Sequence, residues 1–322
     1  MRETAKIILH SDNPVPLATR LHEAMPKAEI RECTTYDGLP ALVSEFRPDI
    51  VYSIRFAGTP GFPSAALVGR DGPHWISVGG SGTDHLGTWD TGRTTVTNAA
   101  GVAADMMAEY AFGIFLHFTL DIPGLNRDKA ARQWNARMVS PLKGKTLLIV
   151  GLGQTGKSIA TRARAFGMRV IATRARPAPT ADVDQVHAPD ALPELMGQAD
   201  FIAICTPLLP ATRGLIGTPE IATMKPGVIL ADVSRGGVVD QPALCNALKS
   251  GQIAGAGLDV FETEPLPGES PLWALDNLVI SPHCSSVYDG WEAASFEMFM
   301  ANLTRWARGE TLQNIVNPAR GY

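Results

Sequence analysis

Short runs with almost no polar position recur along this chain, and they alternate with stretches in which apolar residues return every three or four positions. The clearest runs lie at 146–150 (TLLIV), 169–173 (RVIAT), 201–205 (FIAIC), 228–233 (VILADV), 255–260 (GAGLDV) and 278–281 (LVIS). A strand with one wet face alternates apolar and polar residues, whereas a strand covered on both faces is apolar throughout. Turn residues and mostly a helical stretch follow each run, so the pattern predicts a doubly wound parallel sheet of about six strands.

The first hundred residues repeat the alternation more weakly. Strands are expected at 6–10, 28–32, 49–54 and 74–78, with a Pro-opened helix at 15–25 and helical patterns between the later strands. Two longer helices are expected, one over 102–120 and one from 289 to about 308, the second returning the chain to the first domain. The predicted domains are therefore 1–102 together with 290–322, and 103–289.

Composition narrows the class. The chain has 322 residues, 45% of them hydrophobic and 19% charged, as expected of a folded protein of roughly two domains. A net charge of −4 with no run of Lys or Arg offers no basic face for nucleic acid. Cys33, Cys205, Cys245 and Cys284 are far apart, which gives neither a zinc site nor a disulfide framework and reads as reduced thiols in the cytoplasm. The N-terminal apolar run is closed by His10 and Asp12, too soon for a signal peptide. The longest apolar stretch, 102–120, contains Asp105, Glu109 and His117, so it reads as a buried helix and not as a membrane span. A soluble cytoplasmic protein without metal, membrane or nucleic-acid partner is expected.

The first chemical signal follows the run at 146–150. A buried strand leads into Gly151-x-Gly153-Gln154-Thr155-Gly156, and a helical pattern begins at once. In this arrangement the first glycine makes a tight turn, the second lets the backbone approach a pyrophosphate, and the third allows close helix–sheet packing. Free N–H groups at the helix start then hold the phosphates. The glycines alone are weak evidence, but a strand before, a helix after and a second strand at 169–173 make a dinucleotide site the expectation. An acidic residue at the end of that second strand usually binds the adenosine ribose; here Arg174 and Arg176 stand there instead. Guanidinium groups suit a 2′-phosphate, so NADP(H) is the expected cofactor, with NAD(H) left open as a second one.

Three further segments follow strands: Asp232 to Asp240, Leu258 to Pro265, and Ile280 to Ser286. Ligands of open α/β sheets bind outside the carboxyl ends of the strands, where all three lie. Together Gly151-Leu-Gly153-Gln-Thr-Gly156, Ser234-Arg235-Gly236, Leu258 to Pro265, Pro282-His283, the early Gly80-Ser-Gly82-Thr-Asp84 and the Glu109-bearing helix resemble the D-isomer-specific 2-hydroxyacid dehydrogenase family across nearly the whole chain. The resemblance implies an α/β fold in which a Rossmann doubly wound domain, 103–289, is inserted into a smaller flavodoxin-like substrate-binding domain, 1–102 with 290–322. It implies a catalytic set of Arg235, Glu264 and His283. Arg235 would clamp the carboxylate of a small 2-oxo acid, and His283 would exchange a proton with the reacting oxygen. A carboxylate beside an imidazole favours the charged ring, which is the role expected of Glu264.

The resemblance also implies Thr206, Pro207, Val233 and Ser234 on the cofactor side, with Asp259 supporting the site through hydrogen bonds. Val78, Gly79 and Gly80 are the expected substrate loop, whose backbone N–H groups suit a carboxylate, and Arg55 adds a positive group there. Trp134 is a candidate pocket residue or a core or interface one. Two departures stand out: the acidic residue is missing at 174, and Cys-Ser-Ser follows His283 where relatives commonly carry a glycine. The family likeness implies a homodimer formed through the 102–120 region. The leading function is reduction of glyoxylate or hydroxypyruvate; a phosphite-type dehydrogenase of the same fold and a non-catalytic NAD(P)-sensing scaffold are the alternatives.

Overall fold

Five short strands with helices between them carry the N-terminal part of the chain. In the computed structural model, which describes residues 3–54, 61–318 and 320, these are β1 (Lys6–His10), α1 (Pro14–Ala24), β2 (Glu29–Cys33), α2 (Gly38–Phe46), β3 (Ile50–Ser53), α3 (Ser64–Val68), β4 (Trp75–Val78) and β5 (Thr95–Asn98). All pair in parallel in the order β2-β1-β3-β4-β5, the flavodoxin-like order. Alternate side chains enter opposite faces, as the pleat requires. Ile7, Leu9, Ile50, Tyr52 and Trp75 form one core cluster, while Ile8, Val51, Ile76, Val78 and Val96 form another with Leu39, Val43 and Leu67. Strand β5 was not among the sequence expectations.

The chain continues through α4 (Ala104–Thr119), α5 (Ile122–Ala131), β6 (Thr146–Val150), α6 (Gln154–Ala165), β7 (Arg169–Thr173), β8 (Gln185–His187), α7 (Leu192–Met196), β9 (Phe201–Ile204), α8 (Thr218–Thr223), β10 (Val228–Asp232), α9 (Gln241–Ser250), β11 (Ile253–Leu258) and β12 (Leu278–Ile280). These strands form a second parallel sheet of seven, ordered β12-β11-β10-β9-β6-β7-β8. From β8 onward this is the Rossmann order with one strand added at the far edge. The sequence predicts six strands; the seventh is β8, a three-residue edge strand with no continuous apolar signal. A second correction concerns β11, which ends at Leu258 and leaves Asp259 and Val260 beyond the strand.

The long helix expected at 102–120 stops at Thr119. Asp121 turns left-handed (φ 49°) and its side chain accepts the Gly124 N–H at 3.1 Å, which opens α5. Residues Ala108, Ala111, Phe112 and Phe115 of α4 pack with Ile159, Ala160 and Ala163 of α6 over the sheet.

Finally α10 (Trp291–Arg308) adds Phe296, Phe299 and Leu303 to the first core. By contacts the chain divides into Met1–Val102 with Asp289–Tyr322, and Ala103–Tyr288. Among the described residues, no helix is long and apolar enough to cross a membrane.

Candidate active site

The glycine loop after β6 has the form that a pyrophosphate needs. Gly151 adopts φ +98°, and a Cβ there would meet the Thr206 nitrogen at 2.9 Å and the Cys205 carbonyl carbon at 3.0 Å. Gly156 sits under the same turn, where a Cβ would lie 2.4 Å from the Gly151 oxygen. Gly153 faces open space, with nothing within 4 Å of a Cβ built on it. It is also the N-cap of α6 and supplies no side-chain cap, so the first N–H groups of a twelve-residue helix are left for an anion. This chain therefore fits a dinucleotide on its own geometry. Gln154 is exposed and Thr155 half-buried, its hydroxyl 3.6 Å from the Met107 sulfur. Thr206 and Pro207 follow β9 on the same edge, where the Thr212 hydroxyl fixes the loop by donating to the Pro207 carbonyl at 2.6 Å.

Arg174 and Arg176 follow β7. The Arg174 N–H donates to the His187 carbonyl at 2.9 Å, which anchors the start of the loop. Among the described residues, neither guanidinium forms an ion pair with a carboxylate.

At the end of β10 the backbone folds on itself. Asp232 accepts the Ser234 N–H at 2.9 Å and the Ser234 hydroxyl at 2.5 Å on one oxygen, Oδ1. The Ser234 carbonyl in turn accepts Nη1 of Arg235 at 2.7 Å. Val233 and Ser234 were expected beside the cofactor, but their side chains are buried and their N–H groups are occupied by the Ile204 carbonyl and Asp232. Both residues tie strand ends together. Gly236 closes the turn against the neighbouring segment, since a Cβ there would lie 1.8 Å from the Phe261 oxygen.

Burial pushes the Asp232 carboxyl up to about 7, against the pull of the two Ser234 bonds, with the nearby Asp259 charge adding to the rise and Arg235 opposing it. Burial pushes the Cys205 thiol and the Tyr110 hydroxyl up, and the Asp232 charge adds in turn to both rises. The fold thus disfavours the ionised acid. For an acid whose folded value is raised, the associated stability is present at low pH and lost as pH rises toward that value. Asp232→Asn is therefore expected to raise the melting temperature at pH 8 by roughly 2–4 °C or more. Scanning calorimetry should show the gain shrinking as pH falls toward the usual carboxylate range, and equal melting temperatures at pH 8 contradict it.

Glu264 and His283 meet at the ends of β11 and β12. Nδ1 of His283 lies 2.8 Å from Oε2 of Glu264, and Oε1 of Glu264 accepts the Phe261 N–H at 3.0 Å. Because a carboxylate only accepts, Nδ1 carries the proton in this bond and Nε2 is the ring atom left for a ligand. The pair is partly open to solvent, with side-chain exposures of 29% and 28%. His283 itself is held left-handed at φ 53°, a conformation costing a non-glycine residue about 1–3 kcal/mol. Its N–H is shared between the carbonyls of Asp259 (2.9 Å) and Ser281 (3.0 Å).

Asp259 holds that loop in place. It is 1% exposed, and its carboxylate accepts from the Ser281 hydroxyl (2.6 Å), the Cys284 N–H (2.8 Å), and the Ser285 N–H (3.0 Å) and hydroxyl (2.6 Å). Since Ser281 gives its one hydroxyl proton to Asp259, the Tyr110 hydroxyl at 2.8 Å must be the donor to Ser281. The Asp259 carboxylate is thus turned inward, onto the loop that carries His283. Ser281, Ser285 and Tyr110 were missed. The available signal was the polar Ser-Pro-His-Cys-Ser-Ser run directly after a buried strand.

In the other unit, the expected loop Val78-Gly79-Gly80 is only partly available. Val78 is buried inside β4, and the Gly79 N–H donates to the Ser53 carbonyl at 2.9 Å. Ser295 of α10 donates to the Gly79 carbonyl at 2.6 Å and receives the Tyr52 hydroxyl at 3.2 Å. Of the three residues, Gly80 alone faces open space where a Cβ would sit. Arg55 lies outside the described residues, and Trp134 is fully exposed.

Residues 112–285 match the model of the D-isomer specific 2-hydroxyacid dehydrogenase NAD binding domain. A glyoxylate reductase of Korarchaeum cryptofilum is 37% identical over 232 residues, covering 69% of this chain and 69% of the relative. A D-isomer specific 2-hydroxyacid dehydrogenase family protein from Aeromonas salmonicida superposes with a TM-score of 0.86 at 29% identity, over 97% of this chain and 99% of that one. A D-isomer specific 2-hydroxyacid dehydrogenase from Xanthobacter autotrophicus, solved in complex with NADPH and MES, gives 0.83 at 30% identity and covers 99% of both chains.

Proposed function

The chain belongs to the D-isomer specific 2-hydroxyacid dehydrogenase family, and on that premise we propose that it reduces a small 2-oxo acid, glyoxylate or hydroxypyruvate, with NADPH as its preferred reductant. It is an NAD(P)-dependent oxidoreductase acting on CH–OH groups. The observation that carries the finer reading is the placement of Arg235 and the Glu264–His283 pair on the carboxyl edge of the sheet that also bears the glycine cradle.

Each residue has a task set by its chemistry. Arg235 rests Nη1 on the Ser234 carbonyl, and its planar guanidinium is the group suited to clamp the carboxylate of the substrate. A substrate clamped there presents its carbonyl carbon in one orientation. When bound, the nicotinamide supplies the hydride. Nε2 of His283 gives its proton to the carbonyl oxygen as negative charge gathers on it, and Glu264 stabilises the ring while it is charged. In the oxidative direction a neutral ring accepts the hydroxyl proton through the same atom. Gly151 to Gly156 would hold the pyrophosphate, Thr206 and Pro207 would border the nicotinamide, and Arg174 and Arg176 would bind the 2′-phosphate.

In this reading 103–289 is the NAD(P)-binding domain, and 1–102 with 290–322 is the substrate-binding domain of a cytoplasmic homodimer. Support for glyoxylate comes from the Korarchaeum relative, and support for NADPH from Arg174 and Arg176, which form no ion pair among the described residues, and from the Xanthobacter complex. Purified protein mixed with NADPH and either acid is expected to lose absorbance at the nicotinamide band, and silence across a panel of 2-oxo acids contradicts the proposal. Measured side by side, kcat/KM for NADPH is expected to exceed that for NADH by about tenfold or more, the value of one to two charge-assisted hydrogen bonds. Equal efficiencies contradict the assignment of Arg174 and Arg176.

A further inference from the structure

Arg235 can orient a substrate carboxylate only if its own guanidinium has a defined place. An arginine side chain on a loop has several rotatable bonds, and its freedom must be removed by something rigid. One such partner is the Ser234 carbonyl, which accepts Nη1 at 2.7 Å. Where that carbonyl points depends on the peptide between Ser234 and Arg235, and among the described residues the side chain that bonds Ser234 from the sheet is Asp232. We propose that Asp232 is the positioning residue for Arg235, its buried carboxylate fixing Ser234 and so the carbonyl on which the guanidinium rests. The inference rests on the functional reading above, in which Arg235 clamps the substrate.

Several observations favour this over a role in the sheet alone. Asp232 ends β10, and its main-chain carbonyl accepts the Asp259 N–H at 3.1 Å, so the strand ladder is satisfied without the side chain. The carboxylate directs both of its Ser234 bonds to one oxygen, and both come from the residue that precedes Arg235. A buried acid placed only for packing would be more stably replaced by an apolar residue. On the far side of the turn Gly236 lies against the Phe261 carbonyl, so the loop cannot relax in that direction if the Asp232 anchor is lost. Relaxation must then move the Ser234 carbonyl, and Arg235 with it.

The same joint links the two halves of the catalytic set. Asp232 holds Arg235 through Ser234, and its carbonyl holds Asp259, whose carboxylate holds the loop of His283. A merely structural defect would disturb both arms and the glycine cradle; loss of the side-chain anchor should disturb the carboxylate clamp.

Steady-state kinetics of the full-length protein with NADPH and glyoxylate separate these outcomes. Asp232→Ala is expected to raise KM for glyoxylate about tenfold or more while KM for NADPH stays within about twofold. Asp232→Asn keeps an acceptor at Oδ1 and is expected to restore KM for glyoxylate to within about threefold of wild type. If Asp232→Ala does not fold, Ser234→Ala carries the test, because it removes only the hydroxyl arm; KM for glyoxylate is then expected to rise about threefold. An unchanged glyoxylate KM in a folded Asp232→Ala or Ser234→Ala protein overturns the inference, as does an Asn variant as impaired as the Ala variant. A wild-type protein silent on every 2-oxo acid overturns the functional reading together with this inference, whereas an active wild type with an unmoved variant overturns the inference alone.

Discussion

His283→Asn is expected to lower kcat for 2-oxo acid reduction by about 10²–10⁴-fold, the usual contribution of a positioned general acid. Asparagine suits the test because it tolerates the left-handed backbone at this position (φ 53°), so loss of activity is not confounded with a misfolded loop. It retains a polar group near Glu264 but has no proton to give to the reacting oxygen. KM for the 2-oxo acid should move little, because in the proposed mechanism Arg235 and not His283 supplies the ground-state grip. A kcat within tenfold of wild type, with the fold intact by circular dichroism, contradicts the role of His283.

Arg235→Gln is expected to lower kcat/KM for 2-oxo acids by about 10²–10³-fold, since two hydrogen bonds to a charged carboxylate are lost. Most of the loss should appear in KM, and binding of NADPH, followed by its fluorescence, should be preserved because the cradle at Gly151 to Gly156 is untouched. A smaller companion effect is expected for Arg235→Lys, which keeps the charge and loses the planar fork. An Arg235→Gln enzyme with unaltered KM means that the carboxylate is held elsewhere.

Much of this protein can be read in its residues because the strands of a doubly covered sheet must be apolar throughout. TLLIV and VILAD are fully buried in β6 and β10, and their positions were plain from the sequence. Where burial is achieved by polar pairing, the pattern fails. In β5, Thr97 is fully buried because its hydroxyl accepts the Trp75 indole N–H at 2.9 Å, a partner brought in from another strand. In β8 only three residues pair, at a sheet edge, and Gln185 is exposed. Helix α5 was not legible: it opens where the Asp121 side chain accepts the Gly124 N–H, a local event just past the apolar stretch 102–120.

The candidate site shows the same division. Arg235, Glu264 and His283 stand in motifs whose order along the chain points to them, and the structure brings Glu264 and His283 into direct contact. The roles of Asp259 and Asp232 depend on which buried donors face them. Ser281, Cys284 and Ser285 converge on Asp259 from a different strand end, and Ser234 doubles back on Asp232. Val233 and Ser234 sit where the family likeness places cofactor contacts, yet their N–H groups are taken by Ile204 and Asp232. Likewise Gly79 was expected to offer its N–H to a ligand, and Ser53 already receives it.

A crystal structure of the protein with NADPH and oxamate, an unreactive 2-oxo acid analogue, bears most directly on the arrangement as a whole. The oxamate carboxylate is expected against the Arg235 guanidinium, and its carbonyl oxygen about 3 Å from Nε2 of His283 with Glu264 still bonded to Nδ1. Oxamate bound away from Arg235, or an imidazole turned so that Nε2 cannot reach the ligand, contradicts the account.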